Sequence, residues 1–353
     1  MTHQKRLTTR DRLGVAILGY GYMGGMHFDA FKLIDETPVI GVWGRDPSST
    51  REFAKKHGVK AYESLDKVLR DDDVAIVDVC TPSDTHADFS IRALEAGKHV
   101  FVEKPLALSL RDADRMIEAA EKSRLKLMVA HVLRFFADYM RMKEMVDAGT
   151  IGDIAIARAF RGGSLPPWNL SWFADINRSG GAVVDLSIHD VDYLVWCIKE
   201  PVSRVYAKAA HLAHKNITAH DFTLINMRFE GGGIGFVEGS FALPKQFPFT
   251  MRMELSGTKG MLQLDNQTPT PVKLYTDTST QGFAPEALHW KPTLHPLPLD
   301  PFYREIRHFV DCVANDTRPL TDAVESRKSL EVCLAALKSA REGVPIRLPM
   351  EGS

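Results

Sequence analysis

Val15-Ala16-Ile17-Leu18-Gly19-Tyr20-Gly21-Tyr22-Met23-Gly24 is the stretch that decides the fold of this chain. Four apolar residues make a short buried strand, and three glycines at the spacing G-x-G-x-x-G make the turn that leaves it and opens a helix. Gly19 permits the tight turn, Gly21 lets the backbone approach a pyrophosphate, and Gly24 lets the helix pack closely on the strand. Tyr22 and Met23 fall in the first turn of that helix, where unpaired N–H groups and the helix dipole favour an anion. The expectation is a dinucleotide-binding turn that uses Gly19, Gly21, Tyr22, Met23 and Gly24.

Outward from this turn the pattern repeats. Apolar runs at Val39 to Trp43, Val74 to Cys80, His99 to Val102 and Leu127 to Ala130 alternate with helix-like stretches, which predicts an α/β domain with a doubly wound parallel sheet. Gly97 stands where a glycine would end a helix over Asp84 to Ala96, and Ser109 with Asp112 forms a capping box for the next. Residues 13–131 are therefore read as a dinucleotide-binding domain, preceded by a polar extension at 1–12.

After a helix ending near Gly149 the texture changes to longer strand-like segments at Ile154 to Arg161, Val202 to His211, Phe222 to Phe229, Ile234 to Phe241 and Phe249 to Ser256. Gly231-Gly232-Gly233 reads as a hairpin turn. Residues 132–353 are expected to form a second α/β domain with a large open, mainly antiparallel sheet for substrate binding and oligomerisation. Gln267 to Asp300, rich in Pro and Thr, is read as a surface excursion, followed by helices at Phe302 to Asn315 and Ala323 to Glu342, with a C-terminal helix that can pack back on the first domain.

Composition narrows the function. The 353 residues are 44% hydrophobic and 25% charged, enough for two separate cores and outside the range of disordered chains. A net charge of -1 leaves no polybasic surface for nucleic acid or an anionic membrane, so the expected partner is a small molecule. Cys80, Cys197, Cys312 and Cys333 are widely separated, which reads as buried thiols in a reducing, cytoplasmic setting. Asp185 and His189 could supply two metal ligands, but no third stands at a ligand spacing, so no metal is expected.

Two further positions bear on cofactor and chemistry. At the end of the second strand, where an acid would bind the ribose of NAD, the chain has Gly44 and then Arg45; a 2′-phosphate could sit on that guanidinium, which favours NADP, while Asp46 keeps NAD open. Glu103-Lys104-Pro105 ends the strand after His99 to Val102 and can deliver an ammonium to the cofactor's reactive ring. Asp185, His189 and Asp192 lie at i, i+4 and i+7, the spacing of one helix face, with Asp190 off it. Oxidising a carbinol carbon requires a base for the hydroxyl proton and a donor for the developing alkoxide, and Lys104 and His189 can supply these. Arg134, Trp168, Trp172 and Phe173 are further candidates, since indole faces stack on sugar rings.

These segments carry a resemblance. GYGYMGGMH at the first turn, TPSDTHADFSIRALEAGKHVFVEKPLA from Thr81 to Ala107, SGGAVVDLSIHDVD from Ser179 to Asp192 and the closing Ser339 to Leu348 stretch make the chain similar to the glucose-fructose oxidoreductase, inositol dehydrogenase and rhizopine-catabolism family, Gfo/Idh/MocA. Two small departures are Ala182 after Gly180-Gly181, and Ser187 two residues before the histidine. The resemblance implies a Rossmann domain, a second domain whose sheet forms homodimers or homotetramers, and oxidation or reduction of a sugar, inositol or related cyclic polyol with NAD or NADP. It implies His189 as acid/base, Lys104 as the residue that orients and polarises the oxygen, and Asp185 as a substrate partner, with Lys104 as the base in the rival assignment. Thr81, Pro82, His86, Glu103 and Lys104 fall to the cofactor side, with His27 beside the pyrophosphate; Lys104, Arg134, Trp168, Trp172, Asp185, His189 and Asp192 fall to the substrate side. Two other functions are weighed: an NAD-dependent glycosidase acting by transient C3 oxidation and elimination, and a non-catalytic dinucleotide-binding regulator.

Overall fold

A computed structural model describes residues 12–166, 170–283 and 300–350. The polar extension, apart from residue 12, and Trp168 lie outside them. The chain divides into two compact units.

The first unit takes residues 1–106, 112–130 and 302–323. Its parallel sheet is built from β1 (Val15–Leu18), β2 (Val39–Trp43), β3 (Lys60–Ala61), β4 (Ile76–Val79), β5 (His99–Glu103) and β6 (Leu127–Ala130), in the order 3-2-1-4-5-6. The strand order reverses between β1 and β4, so the crevice that receives a dinucleotide in such sheets lies at the carboxyl ends there. β1, β4 and β6 are buried along their whole length, as strands covered on both faces must be. The helices between them are α1 (Tyr22–Phe31), α2 (Pro47–His57), α3 (Leu65–Leu69), α4 (His86–Glu95) and α5 (Leu110–Ser123). Gly97 takes φ +80° just past α4, and Asp46 caps α2 by accepting the Ser49 N–H at 2.6 Å. A late helix, Pro301–Ala314, lays Phe309 on Phe101 of β5 with ring centroids 5.3 Å apart. The Thr321 carbonyl then accepts the Val129 N–H of β6 at 2.9 Å, and the Thr321 hydroxyl donates to the Val129 carbonyl at 2.7 Å.

The second unit is dominated by a nine-stranded sheet, β14-β13-β12-β11-β7-β10-β9-β8-β15. Its strands are β7 (Ile154–Gly162), β8 (Val202–Ala210), β9 (Phe222–Phe229), β10 (Ile234–Ser240), β11 (Thr250–Gly257), β12 (Met261–Asp265), β13 (Val272–Tyr275), β14 (Thr280–Phe283) and β15 (Ile346–Arg347). Every pairing is antiparallel except β7 with β10. The glycine run turns β9 into β10, with Gly232 at φ +96°. The helices of the chain continue as α6 (Ala137–Asp147), α7 (Leu170–Phe173), α8 (Ile176–Ser179), α9 (Ile188–Ile198), α10 (the late helix already placed) and α11 (Ala323–Glu342). One face of the sheet is the core, with Ile225, Met227, Phe229, Val237, Met253 and Leu262 all buried.

One expectation about this sheet is corrected. The first part of the stretch read as an excursion, residues 267–283, continues the sheet as the β13–β14 hairpin, because Val272 and Leu274 alternate inward against Leu264 and Leu262, while residues 284–299 lie outside the described residues. A four-residue strand carries only two inward side chains, too few to stand out among prolines and threonines.

Candidate active site

The dinucleotide turn is held by steric fit. Gly19 has φ +86°, the left-handed region that an L side chain avoids, and a Cβ on Gly24 would overlap the Gly19 carbonyl oxygen. Gly21 points the other way: a Cβ there would meet nothing within 4 Å. Gly21 also makes no side-chain cap for α1, and the first turn of α1 has no acid, so its N–H groups and dipole are left for an anion. Tyr22 is exposed and Met23 half-buried on this turn. These features fit the pyrophosphate of a dinucleotide, which when bound accepts or donates a hydride.

At the carboxyl end of β2, Arg45 is exposed. A side chain at Gly44 would overlap the ring of Tyr20, whose hydroxyl lies 2.9 Å from Thr50 Oγ1 and donates to the Asp46 carbonyl at 3.2 Å. No carboxylate can occupy position 44 while Tyr20 sits there. The acid two residues on, Asp46, spends an oxygen on the α2 cap, and that hydrogen bond holds its carboxyl below the usual carboxylate range. At the end of β4, Thr81 shares a hydrogen bond with Thr85 at 2.7 Å, and Pro82 accepts from the Thr85 hydroxyl.

At the end of β5 comes Lys104, half-buried. Its backbone N–H donates to Glu103 Oε2 at 3.0 Å, while Glu103 Oε1 is 3.3 Å from His27 Nε2. His27 Nδ1 stands 3.1 Å from both oxygens of Asp78 and 3.2 Å from Cys80 Sγ. Burial opposes charge on this imidazole, but Cys80 and Asp78 beside it outweigh burial and raise its pKa well above the ordinary value. Burial likewise pushes Glu103 up, and His27 and then Lys104 reverse it, so the carboxylate form is held. Cys80 is half-buried, in contrast to the expectation of four buried thiols; Cys197, Cys312 and Cys333 are buried.

His27, Asp78 and Cys80 are the three residues, among those described, whose ligand atoms lie close enough to share a metal. They are already in mutual hydrogen-bond contact, which accounts for the cluster without an ion. His86, expected at the cofactor, is 1% exposed, with Nδ1 2.7 Å from the Pro105 carbonyl and Nε2 2.9 Å from the Thr81 carbonyl. Its ring is taken up by the backbone.

The polar residues of the second unit stand on a broken helix. Gly180 and Gly181 both have positive φ, and Ala182–Leu186 then forms a π turn, closed by the Ser187 N–H to the Ala182 carbonyl. α9 starts only at Ile188. Asp185 and His189 are therefore not neighbours on one α-helical face, as their spacing suggested, but sit on two different helical windings joined at Ser187. Asp185 is buried in the π turn, and His189 is half-buried at the start of α9. Ser187 is accommodated because Gly239 of β10 has no Cβ, which would overlap its hydroxyl.

Asp192 and Arg134 depart from the substrate contacts expected of them. Asp192 is 0% exposed; Arg134 donates to both its oxygens at 2.7 Å, and the Ser329 hydroxyl adds a third bond at 2.9 Å. Burial raises the Asp192 pKa and Arg134 more than reverses this, so the carboxyl is held below the usual range. The Arg134 guanidinium also lies 5.0 Å over Trp196. The pair ties α9 to the turn at Val132–Phe135. Asp190 is likewise buried, on Arg161 of β7 at 2.7 Å. Trp172 is half-buried, while Phe173 is fully buried with Leu165, Leu186 and Phe241 in a core cluster.

Sequence reasoning passed over Asp78 as a site residue. The signal was available: Ile76-Val77-Asp78-Val79 puts a carboxylate inside a wholly buried strand, which is costly without a partner.

Comparison with known proteins agrees with this arrangement. A model of the oxidoreductase family with an NAD-binding Rossmann fold matches residues 13–131, and one of the GFO/IDH/MocA C-terminal domain matches 139–263. The chain belongs to the Gfo/Idh/MocA family. It is 30% identical over 338 residues to myo-inositol 2-dehydrogenase of Thermotoga maritima, covering 95% of this chain and 98% of that relative. It is also 30% identical over 345 residues to scyllo-inositol 2-dehydrogenase (NAD(+)) of Bacillus subtilis strain 168, covering 95% and 96%. Among solved structures, a probable dehydrogenase from Thermotoga maritima superposes with TM-score 0.81 at 29% identity, covering 95% of this chain and 99% of the other. As a Gfo/Idh/MocA protein the chain is an oxidoreductase with a Rossmann domain and a second, mostly antiparallel sheet domain. Among the described residues no helix is long and apolar enough to cross a membrane.

Proposed function

We propose that this protein is a dehydrogenase or reductase that transfers a hydride between a nicotinamide and a carbinol carbon of a sugar, inositol or related cyclic polyol. The observation that carries the reading is the clustering of polar groups at the carboxyl ends of one parallel sheet. The glycine turn follows β1, Arg45 follows β2, Thr81 follows β4 and Lys104 follows β5, with the strand order reversing between β1 and β4. Names of relatives that act on inositols support the substrate class. Residues 13–131 are assigned to the cofactor and 132–353 to substrate and assembly, with α10 returned to the first unit.

In this reading the Lys104 ammonium orients the reacting hydroxyl and stabilises the oxygen as its proton leaves. His189 takes that proton, and Asp185 accepts a hydrogen bond from a neighbouring hydroxyl. Trp172 offers an indole face to the ring. NADP is the preferred cofactor, because Tyr20 closes position 44 to an acid, Asp46 is engaged on the α2 cap, and Arg45 is exposed to pair with a 2′-phosphate. The protein assembles as a homo-oligomer through the second sheet.

The test is nicotinamide absorbance with a panel of inositols, aldoses, uronic acids and aryl glycosides, each with NAD and NADP, beside Lys104→Ala. Steady reduction with one polyol class, lost in the variant, is the expected result. Aglycone release without net reduction would replace this reading with a redox-assisted glycosidase.

A further inference from the structure

Two buried histidines outside the proposed catalytic set reach the chain on either side of Lys104. His27, on α1 and 0% exposed, hydrogen-bonds Asp78 through Nδ1 and makes a charge contact, not an aligned hydrogen bond, to Glu103 through Nε2 at 3.3 Å; the second oxygen of Glu103 accepts the Lys104 N–H. His86, at the start of α4, touches the Pro105 carbonyl with one ring nitrogen and the Thr81 carbonyl with the other. Carbonyl oxygens only accept hydrogen bonds, and burial holds the His86 pKa below the ordinary value, so the neutral ring donates to one of the two carbonyls, the closer being that of Pro105 at 2.7 Å. Neither ring offers an exposed edge to a ligand.

An apolar side chain of similar volume would fill either space without burying a polar ring, so core filling alone does not explain the choice. What the two rings supply is fixed backbone. One secures the residue before Lys104 through its carboxylate, and the other secures the residue after it through its carbonyl. The other ring nitrogen stands 2.9 Å from the Thr81 carbonyl, at the end of the neighbouring strand β4, so the ring packs between the two turns.

We propose that His27 and His86 are positioning residues that clamp the Glu103–Pro105 turn from its two sides and so fix where the Lys104 ammonium is presented. The clamp rests on the reading of Lys104 as the group that meets the reacting oxygen. Misplacing such a group by about 1 Å can cost about 100-fold in rate, so a turn held at both ends is worth its buried polar groups.

The experiment uses the full-length protein and the variants His86→Leu, His86→Gln and His27→Gln, with two readouts. Amide hydrogen exchange of the 99–107 segment needs no substrate: exchange is expected to rise about tenfold in His86→Leu and in His27→Gln, with β1 and β6 unchanged. His86→Gln, which retains one of the two contacts, should lie between His86→Leu and wild type. In turnover with the polyol that the panel identifies, kcat is expected to fall about tenfold while KM and the NADP Kd stay within about threefold. Adding His86→Leu to Lys104→Ala should cost almost nothing further.

Unchanged exchange at 99–107 overturns the clamp. So does an NADP Kd that weakens in step with kcat, which would make His86 a cofactor residue. Should His86→Leu fail to fold, His86→Gln and His27→Gln decide on the same criteria. A wild type silent on every substrate sinks the dehydrogenase reading and leaves hydrogen exchange to decide whether the turn is clamped.

Discussion

Arg134 and Asp192 show what a single buried contact does in this protein. Their carboxylate and guanidinium lie in the interior, each neutralising a charge that would otherwise be stranded. Removing one partner should be far worse than removing both: Arg134→Met is expected to destabilise the second unit by about 3–5 kcal/mol, and Arg134→Met with Asp192→Leu by much less. Chemical denaturation of the three proteins measures this, and equal losses in the single and double variants would refute it. The pair escaped sequence reasoning because its members are 58 residues apart and spacing records nothing about such a contact. Gly19 and Gly24 were legible, since their constraints are local and steric.

His27 carries a pH dependence whose sign follows from its raised pKa. Its stabilising contribution is present in full below the unfolded histidine value of about 6.5 and is lost as pH rises through the higher folded value. Thermal midpoints measured on the alkaline side should therefore fall with pH more steeply in wild type than in His27→Gln. Parallel curves would mean that the imidazole is not held charged.

At the scale of elements, the first turn of α1 should tolerate no methyl added at Gly24. Gly24→Ala is expected to weaken dinucleotide binding by about tenfold or more, ~1.4 kcal/mol, because the Gly19 carbonyl must move from where Cβ would stand. Titration with NAD and with NADP checks it, and unchanged affinity would show that the turn adapts. Elements with long buried runs or a clear period, such as β1, β9 and α11, were readable from pattern. The π turn at Ala182–Leu186 was not: its residues are all buried, so no alternation marks the extra residue, and spacing was read with the α-helical period. That one residue is why Asp185 and His189 could be named from sequence while their common helical face could not.

At the scale of the whole molecule, the second sheet covers one face with core and leaves the other with apolar groups in water. Leu224 on β9 and Ile234 and Phe236 on β10 are 37%, 42% and 37% exposed, on adjacent paired strands. Phe160 of β7 and Tyr206 of β8 lie half-buried on the strands beside them. An apolar patch crossing neighbouring strands is the kind of surface that self-association covers, since an exposed patch of this sort is a standing invitation to aggregation. Arg158, Arg228 and Lys208 on the same strands limit which approach is compatible, because like charges brought together without partners would oppose it. The expected outcome is a homo-oligomer by light scattering that dissociates in Phe236→Asp with Ile234→Lys, while the parallel sheet and its dinucleotide affinity are unaffected. A wild type that stays monomeric across micromolar concentrations would leave those side chains as ordinary surface and move the assembly contact elsewhere.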